Sequence, residues 1–134
     1  MQKTISIIAC VALALAVVAG AFGAHSLRNL LDEKQLATWQ TAVLYQFIHA
    51  LGALLLANTS VTSDKAQKLR SVAVWLLLSG LSLFSGSLYL LAVRELLGIG
   101  ASWLGPLTPA GGVLFVGGWL LAAWSFVLAK RKER

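Results

Sequence analysis

The charged residues of this chain are confined to five short clusters, and this confinement limits what the chain can fold into. Each of the four uncharged runs between them exceeds the roughly 20 apolar residues that an α-helix needs to cross a ~30 Å hydrocarbon layer. The runs are Thr4 to Leu27, Gln35 to Ser63, Ser71 to Val93 and Leu96 to Ala129. Because a water-soluble helix carries polar residues on one face, the sequence predicts an integral membrane protein with four spanning helices.

The composition agrees with a membrane protein, since 58% of the residues are hydrophobic and only 12% are charged. Four spans and their loops use all 134 residues, which predicts a single all-α domain, residues 1–134, folded as a four-helix bundle. The spans are expected at about residues 4–24, 36–58, 70–93 and 109–129.

The net charge of +6 predicts contact with the bilayer rather than with nucleic acid. No basic residue alternates with aromatic residues on a soluble surface, whereas anionic headgroups attract each nearby basic residue by about 1 kcal/mol. Eight basic residues lie at the two termini and in the middle loop, against three in the other two loops. Because Lys and Arg collect on the cytoplasmic side, both termini are expected in the cytoplasm.

The N-terminus imitates a secretory signal, with Lys3, an apolar stretch and the small triplet Ala19-Gly20-Ala21. The apolar run nevertheless continues to Leu27, which is longer than the 7–15 residues typical of a signal core. We therefore expect the first helix to remain uncleaved.

Local signals mark several helix ends. Asp32, followed three residues later by Gln35, predicts a capping box at the start of the second helix. The glycines and prolines between Leu96 and Pro109 predict an outer loop or shallow half-helix. Pro109 then fits the first turn of the fourth helix, where its missing N–H is not needed.

Small residues recur along three of the predicted helices and indicate how the helices meet. Within lipid, close backbone approach and dispersion hold helices together, and small residues permit both. The pattern favours a compact bundle core over a ligand channel, and it is equally suited to contact with a second copy or another membrane protein. The predicted packing residues are Ala12, Ala16, Gly20 and Ala24 in the first helix, Ser79, Ser82 and Gly86 in the third, and Gly111, Gly118 and Ala122 in the fourth.

The second span contains a candidate intramembrane polar site formed by Tyr45, Gln46 and His49. Their spacing puts Gln46 and His49 on one face and Tyr45 one turn from His49. A polar group at this depth is expected to face protein or a water-filled cavity. His49 is either a proton-relay or ligand-binding residue, or a neutral histidine hydrogen-bonded to a serine or carbonyl of a neighbouring helix, which we favour.

A second candidate site lies at the outer interface and contains His25, Arg28 and Arg94. His25 ends the first helix and is expected to be hydrated. Arg94 is expected to pair with the adjacent Glu95, with binding of a lipid phosphate as the alternative.

No metal or cofactor site and no catalytic site is predicted. His25 and His49 differ in depth by on the order of 10 Å, which excludes them as opposed haem ligands. Two histidines without a nearby carboxylate or thiol make a poor zinc site. The carboxylates all lie in loops or at termini, so a serine hydrolase would lack its orienting acid.

Three motifs resemble the signature of the YgdD/YwdK-like family of small bacterial membrane proteins. They are Gly20-Ala21-Phe22-Gly23-Ala24-His25; Thr41-Ala42 with Tyr45-Gln46-x-x-His49; and Thr108-Pro109-x-Gly111-Gly112-x-x-Phe115-x-x-Gly118-Trp119. The resemblance implies a multi-pass protein of the bacterial inner membrane with unknown function. It supplies no catalytic residues.

Two function classes follow from these observations. The first is a non-enzymatic interaction, assembly or stabilising factor, which the small-residue ridges, short loops and lack of catalytic groups favour. The second is a small oligomeric transporter or permeation unit, with Tyr45, Gln46 and His49 along its path. Whether His49 faces a cavity or packed protein distinguishes them.

Overall fold

The computed structural model of the chain consists of four long helices. It describes residues 2–61, 63–100 and 102–129, so the basic cluster at 130–134 used to predict orientation lies outside the described residues. Each helix is long and apolar enough to cross a membrane, and the predicted all-helical, four-span fold is confirmed. The helices are α1 (Gln2–His25), α2 (Glu33–Asn58), α3 (Asp64–Leu97) and α4 (Leu107–Leu128), with a 3-10 turn at Leu27–Asn29 after α1.

The predicted capping box at the start of α2 is confirmed. The Gln35 amide N–H donates to Asp32 Oδ1 over 2.7 Å, and the Asp32 N–H donates to Gln35 Oε1 over 3.0 Å. Pro109 lies in the first turn of α4, as expected. No half-helix occurs in the described part of the connection from α3 to α4, where Gly98 ends α3 at a φ of 64° that favours glycine.

Helix α3 is longer than the predicted span of about 70–93. Its 34 residues correspond to roughly 51 Å at 1.5 Å per residue, against a hydrocarbon layer of ~30 Å. The prediction used charge to place the helix ends, but the helix continues through charged residues at both ends. Ser63 is the N-cap of α3, and its Oγ accepts a 3.5 Å hydrogen bond from the Ala66 N–H.

Among the described residues, extensive backbone packing occurs only between helices that are consecutive in the chain: α1 with α2, α2 with α3, and α3 with α4. Helices α2 and α4 are joined mainly by large aromatic side chains. Helices α2 and α4 therefore meet at a seam that side chains rather than backbone contacts bridge.

The packing surface of α1 differs from the predicted ridge. Ala16 is buried and Ala12 and Gly20 are half-buried, but Ala24 is exposed and Gly23 is buried in its place. Four residues turn an α-helix by 400°, so a strict four-residue repeat drifts about 40° each time. Over the twelve residues from Ala12 to Ala24 this drift carries the ridge away from α2.

The predicted small residues of α3 do not form its packing surface. Ser79 and Ser82 are exposed, and a Cβ added to Gly86 would meet nothing within 4 Å. The Ser82 hydroxyl donates to the Leu78 carbonyl of its own helix over 3.2 Å, which satisfies the hydroxyl without a neighbouring helix. The close approach instead uses Gly80, where an added Cβ would lie 3.0 Å from the Gly111 carbonyl oxygen.

The small residues of α4 lie against α3. Gly111, Gly118 and Ala122 are all buried. An added Cβ would lie 2.5 Å from the Phe84 backbone nitrogen at Gly111 and 2.9 Å from Leu77 Cδ2 at Gly118. At both positions, glycine permits the contact between the helices.

Candidate functional site

The seam between α2 and α4 contains a cavity of about 470 Å³, which we call the aromatic groove. Trp119 of α4 reaches across the seam to Gly52 of α2, where an added Cβ would lie 2.5 Å from the indole ring. Gly52 thus makes room for the side chain that bridges the two helices. The groove is lined by Tyr45, His49, Phe84, Gly112, Phe115, Val116, Trp119 and Leu120.

His49 is held in the wall of the groove by stacking and by one hydrogen bond. It is 6% exposed, and its ring lies 3.4 Å from that of Phe115 at an interplanar angle of 14°. Its Nδ1 lies 2.8 Å from the carbonyl oxygen of Tyr45. Because a carbonyl only accepts, Nδ1 carries the proton, and in a neutral ring Nε2 keeps a free lone pair.

This arrangement differs from the predicted partner of His49 in one respect. The carbonyl that holds the imidazole belongs to its own helix, one turn earlier, rather than to a neighbouring helix. Contact with neighbouring helices is made through ring faces instead, chiefly Phe115 of α4.

Tyr45 forms the adjoining part of the wall. Its ring stacks on Phe84 of α3 with centroids 4.5 Å apart and on His49 at 5.5 Å. Among the described residues, its hydroxyl has no hydrogen-bond partner. The groove therefore combines apolar, largely aromatic walls with two polar atoms, Nε2 of His49 and Oη of Tyr45, and its described lining contains no carboxylate.

Gln46 lies outside the aromatic groove. Its Nε2 donates to the Ala12 carbonyl of α1 over 2.8 Å, and its Oε1 accepts from the Tyr89 hydroxyl of α3 over 2.7 Å. The predicted trio is thus divided between two surfaces of α2. The separation of Gln46 and His49 by three residues, about 60° around a helix, directs their side chains to different neighbours.

A further hydrogen bond joins α1 to α2 on the same surface as Gln46. The Trp39 indole N–H donates to the Ala19 carbonyl over 2.9 Å, and the Trp39 ring packs on Tyr89 with centroids 4.6 Å apart. These bonds are internal to the fold and tie α1, α2 and α3 together.

The three residues of the predicted outer-interface site do not share a cavity. Arg94 lines a polar cleft of about 490 Å³ with Asp32 and Lys34, whereas His25 and Arg28 are exposed and absent from its lining. The expected ion pair is present, with Arg94 Nη2 3.6 Å from Glu95 Oε1. Because both side chains are solvent-exposed, this pair contributes little stability.

Arg70, one of the basic residues attributed above to the middle loop, is a buried cation. It is 1% exposed; Nη1 donates to the Thr59 carbonyl over 2.9 Å and Nε to Ser125 Oγ over 3.4 Å. Its guanidinium carbon lies 4.4 Å from the ring centroid of Phe126. Among the described residues no carboxylate lies within ion-pair distance of it.

The carboxyl ends of two helices lie beside Arg70 and partly compensate its charge, while its Nη2 has no hydrogen-bond partner among the described residues. Thr59 is the C-cap of α2, and Ser125 lies in the last turn of α4, where unpaired carbonyls give each helix a partial negative charge. The burial of Arg70 could have been inferred from the sequence. The helical face that carries Arg70 also carries Ala66, Ala73 and Leu77, and these three residues are small or apolar. In the described part of the chain, no three His, Cys, Asp or Glu side chains are grouped closely enough to hold a metal ion.

Comparison with known proteins places the chain among membrane proteins of unknown function. The family described as a protein of unknown function, DUF423, matches residues 19–112. The UPF0382 membrane protein YwdK of Bacillus subtilis is 41% identical over 90% of this chain and 93% of its own length. A UPF0382 membrane protein of Staphylococcus saprophyticus is 45% identical over 80% of this chain and 82% of its own.

A third relative is less similar in sequence. A UPF0382 membrane protein of Haemophilus influenzae is 36% identical over 85% of this chain and 86% of its own length. No solved structure matches the chain significantly. Because the family match covers most of the chain and its relatives align over nearly their full lengths, the chain belongs to the DUF423 family of membrane proteins.

Proposed function

We propose that this protein is a non-enzymatic interaction protein of the bacterial inner membrane and that the aromatic groove is its binding surface. The observation that carries the proposal is the seam between α2 and α4, which is bridged by Trp119 and His49 rather than closed by backbone packing. A bundle that served only as a compact structural unit gains stability by closing such a seam with small residues, as α3 and α4 do at Gly80 and Gly111.

The permeation alternative has less support. A path through the bundle requires polar groups that are free to exchange partners with a solute. Both polar atoms of the Gln46 amide are engaged: Nε2 donates to the Ala12 carbonyl, and Oε1 accepts from the Tyr89 hydroxyl. The remaining polar atoms, on Tyr45 and His49, lie in a largely apolar groove beside aliphatic residues of α4 that are exposed toward lipid.

Photo-crosslinking in native membranes tests the proposed binding surface. A benzophenone amino acid at Val116, which lines the groove and is 62% exposed, is compared with the same probe at Val127, which is 70% exposed but lies outside the groove. We expect an adduct of one discrete mass at Val116 and only phospholipid adducts at Val127. The same adduct spectrum at both positions would refute the proposal.

A further inference from the structure

The aromatic groove contains a polar atom that the fold leaves without a partner. The Nδ1–H of His49 is directed to the Tyr45 carbonyl, so Nε2 carries a lone pair in the neutral ring. No described residue donates a hydrogen bond to this lone pair, although the side chain is only 6% exposed. The fully buried side-chain atoms without a partner in the described part of the chain are Arg70 Nη2 and Ser85 Oγ, so Nε2 of His49 is reachable from the groove. Because the groove is largely apolar, a molecule that donates a hydrogen bond to this acceptor is stabilised there.

The walls of the groove indicate the shape of such a molecule. Rings from three helices line it: Tyr45 and His49 from α2, Phe84 from α3, and Phe115 and Trp119 from α4. Aromatic side chains pack preferentially against another ring in offset-stacked or edge-to-face geometry. The lining therefore favours a flat, aromatic ligand over an aliphatic one.

The volume of the groove indicates the size of its occupant. A cavity of about 470 Å³ lies within the range typical of small-molecule sites. Val116 and Leu120 line the groove and are exposed, which gives an apolar tail access to the lipid.

We propose that the groove binds the head group of a lipid-soluble hydroxylated aromatic molecule, a quinol or a phenolic lipid, whose hydroxyl donates to Nε2 of His49. The inference rests on the proposed function and names the ligand class of that site. The Tyr45 hydroxyl supplies a second polar contact for an oxygen on the ring. The acceptor at Nε2 selects the hydroxyl form, because a quinone carbonyl or an ether oxygen cannot donate.

Binding measurements on the unaltered, detergent-solubilised protein test this selection. Decylubiquinol, kept reduced, is compared with its dimethyl ether, which retains the ring and the tail but has no donor. We expect the quinol to bind at least tenfold more tightly, and equal affinities would overturn the proposal. Likewise, 4-decylphenol should bind at least tenfold more tightly than decanol, and equal binding of these two would show that no aromatic ring is required.

The same measurements distinguish the two sources of the ligand. Comparable affinities for decylubiquinol and 4-decylphenol assign the site to phenolic lipids in general, whereas a clear preference for decylubiquinol assigns it to a membrane quinol. Both results support the proposal.

Two variants then test whether His49 causes the preference for the quinol over its dimethyl ether. His49→Phe preserves a ring for stacking but removes the acceptor, so the difference between quinol and dimethyl ether should disappear. Tyr89→Phe, which removes a hydroxyl outside the groove, should retain it. A preference that persists in His49→Phe would overturn the assignment; if this variant does not fold, the ligand comparison on the unaltered protein decides.

The crosslinking result separates failure of this inference from failure of the proposed function. If the quinol and its ether bind equally but Val116 still forms its discrete adduct, the ligand class is refuted and the binding surface stands. If Val116 forms no specific adduct, the binding surface is refuted as well.

Discussion

The contact between α3 and α4 yields a prediction from two adjacent glycines. At Gly111 a Cβ would lie 2.5 Å from the backbone nitrogen of Phe84 and 2.8 Å from its Cβ, atoms that cannot move without shifting α3. At Gly112 the nearest atom to an added Cβ would be Phe84 Cε2, at an ordinary 3.9 Å. The same substitution, one residue apart, should therefore have opposite effects.

The expected change in the free energy of unfolding is the balance of two opposing effects. Alanine in place of glycine within a helix gains up to about 1 kcal/mol, and this gain is available at both positions. Overpacking against backbone costs about 2–3 kcal/mol and applies only at Gly111. Gly111→Ala should thus lower the free energy of unfolding by about 1–2 kcal/mol, whereas Gly112→Ala should leave it unchanged or raise it slightly.

Unfolding titrations with sodium dodecyl sulfate in mixed micelles, followed by far-UV circular dichroism, measure this difference. Gly112→Ala is the matched control, because it makes the same chemical change in the same helical turn. Equal stability of the two variants would refute the close approach of α3 and α4 at Gly111.

Three further predictions concern the remaining contacts. Gly23→Ala places a Cβ 2.7 Å from the Trp39 ring and should lower the melting temperature. Gly20→Ala, whose added Cβ would lie 3.5 Å from its nearest neighbour, should leave the melting temperature unchanged. Equal melting temperatures would contradict the packing of α1. Gln46→Leu removes both hydrogen bonds of the Gln46 side chain and leaves the Tyr89 hydroxyl without its acceptor. It should cost ~1–3 kcal/mol, so an unchanged melting temperature in detergent would show that these bonds do not stabilise the contact of α2 with α1 and α3. Reporter fusions at the C-terminus and in the α2–α3 loop should report the cytoplasm; a C-terminus on the other side would refute the predicted orientation.

The fold could be predicted well from the sequence because it depends on features of short, continuous segments of the chain. A run of uncharged residues long enough to cross the hydrocarbon layer specifies a helix whatever its neighbours are, and a capping box such as that of Asp32 depends only on residues three apart. The ends of α3 were less predictable, because charged residues continue a helix beyond the membrane without breaking it.

The contacts between helices were less predictable, because they depend on rotation about each helix axis. A four-residue repeat of small residues predicted Ala24 in the interface, whereas Gly23 occupies it. Ser79 and Ser82 have the size of packing residues but face outward. The burial of Arg70 could have been inferred from the small and apolar residues on its helical face, but its partners could not, since nothing in its immediate neighbours shows that two helix ends converge on it.

Two of the three described side-chain hydrogen bonds from α2 to α1, those of Gln46 and Trp39, have a consequence for how the first helix is held at a fixed depth. Gln46 and Trp39 are seven residues apart, and so are the carbonyls of Ala12 and Ala19 that they reach. A smooth alanine- and glycine-rich helix has little to prevent it from sliding along its partner by a turn. One such slip would break both hydrogen bonds at once. The pair therefore fixes the register, because both bonds can form in a single alignment of the two helices.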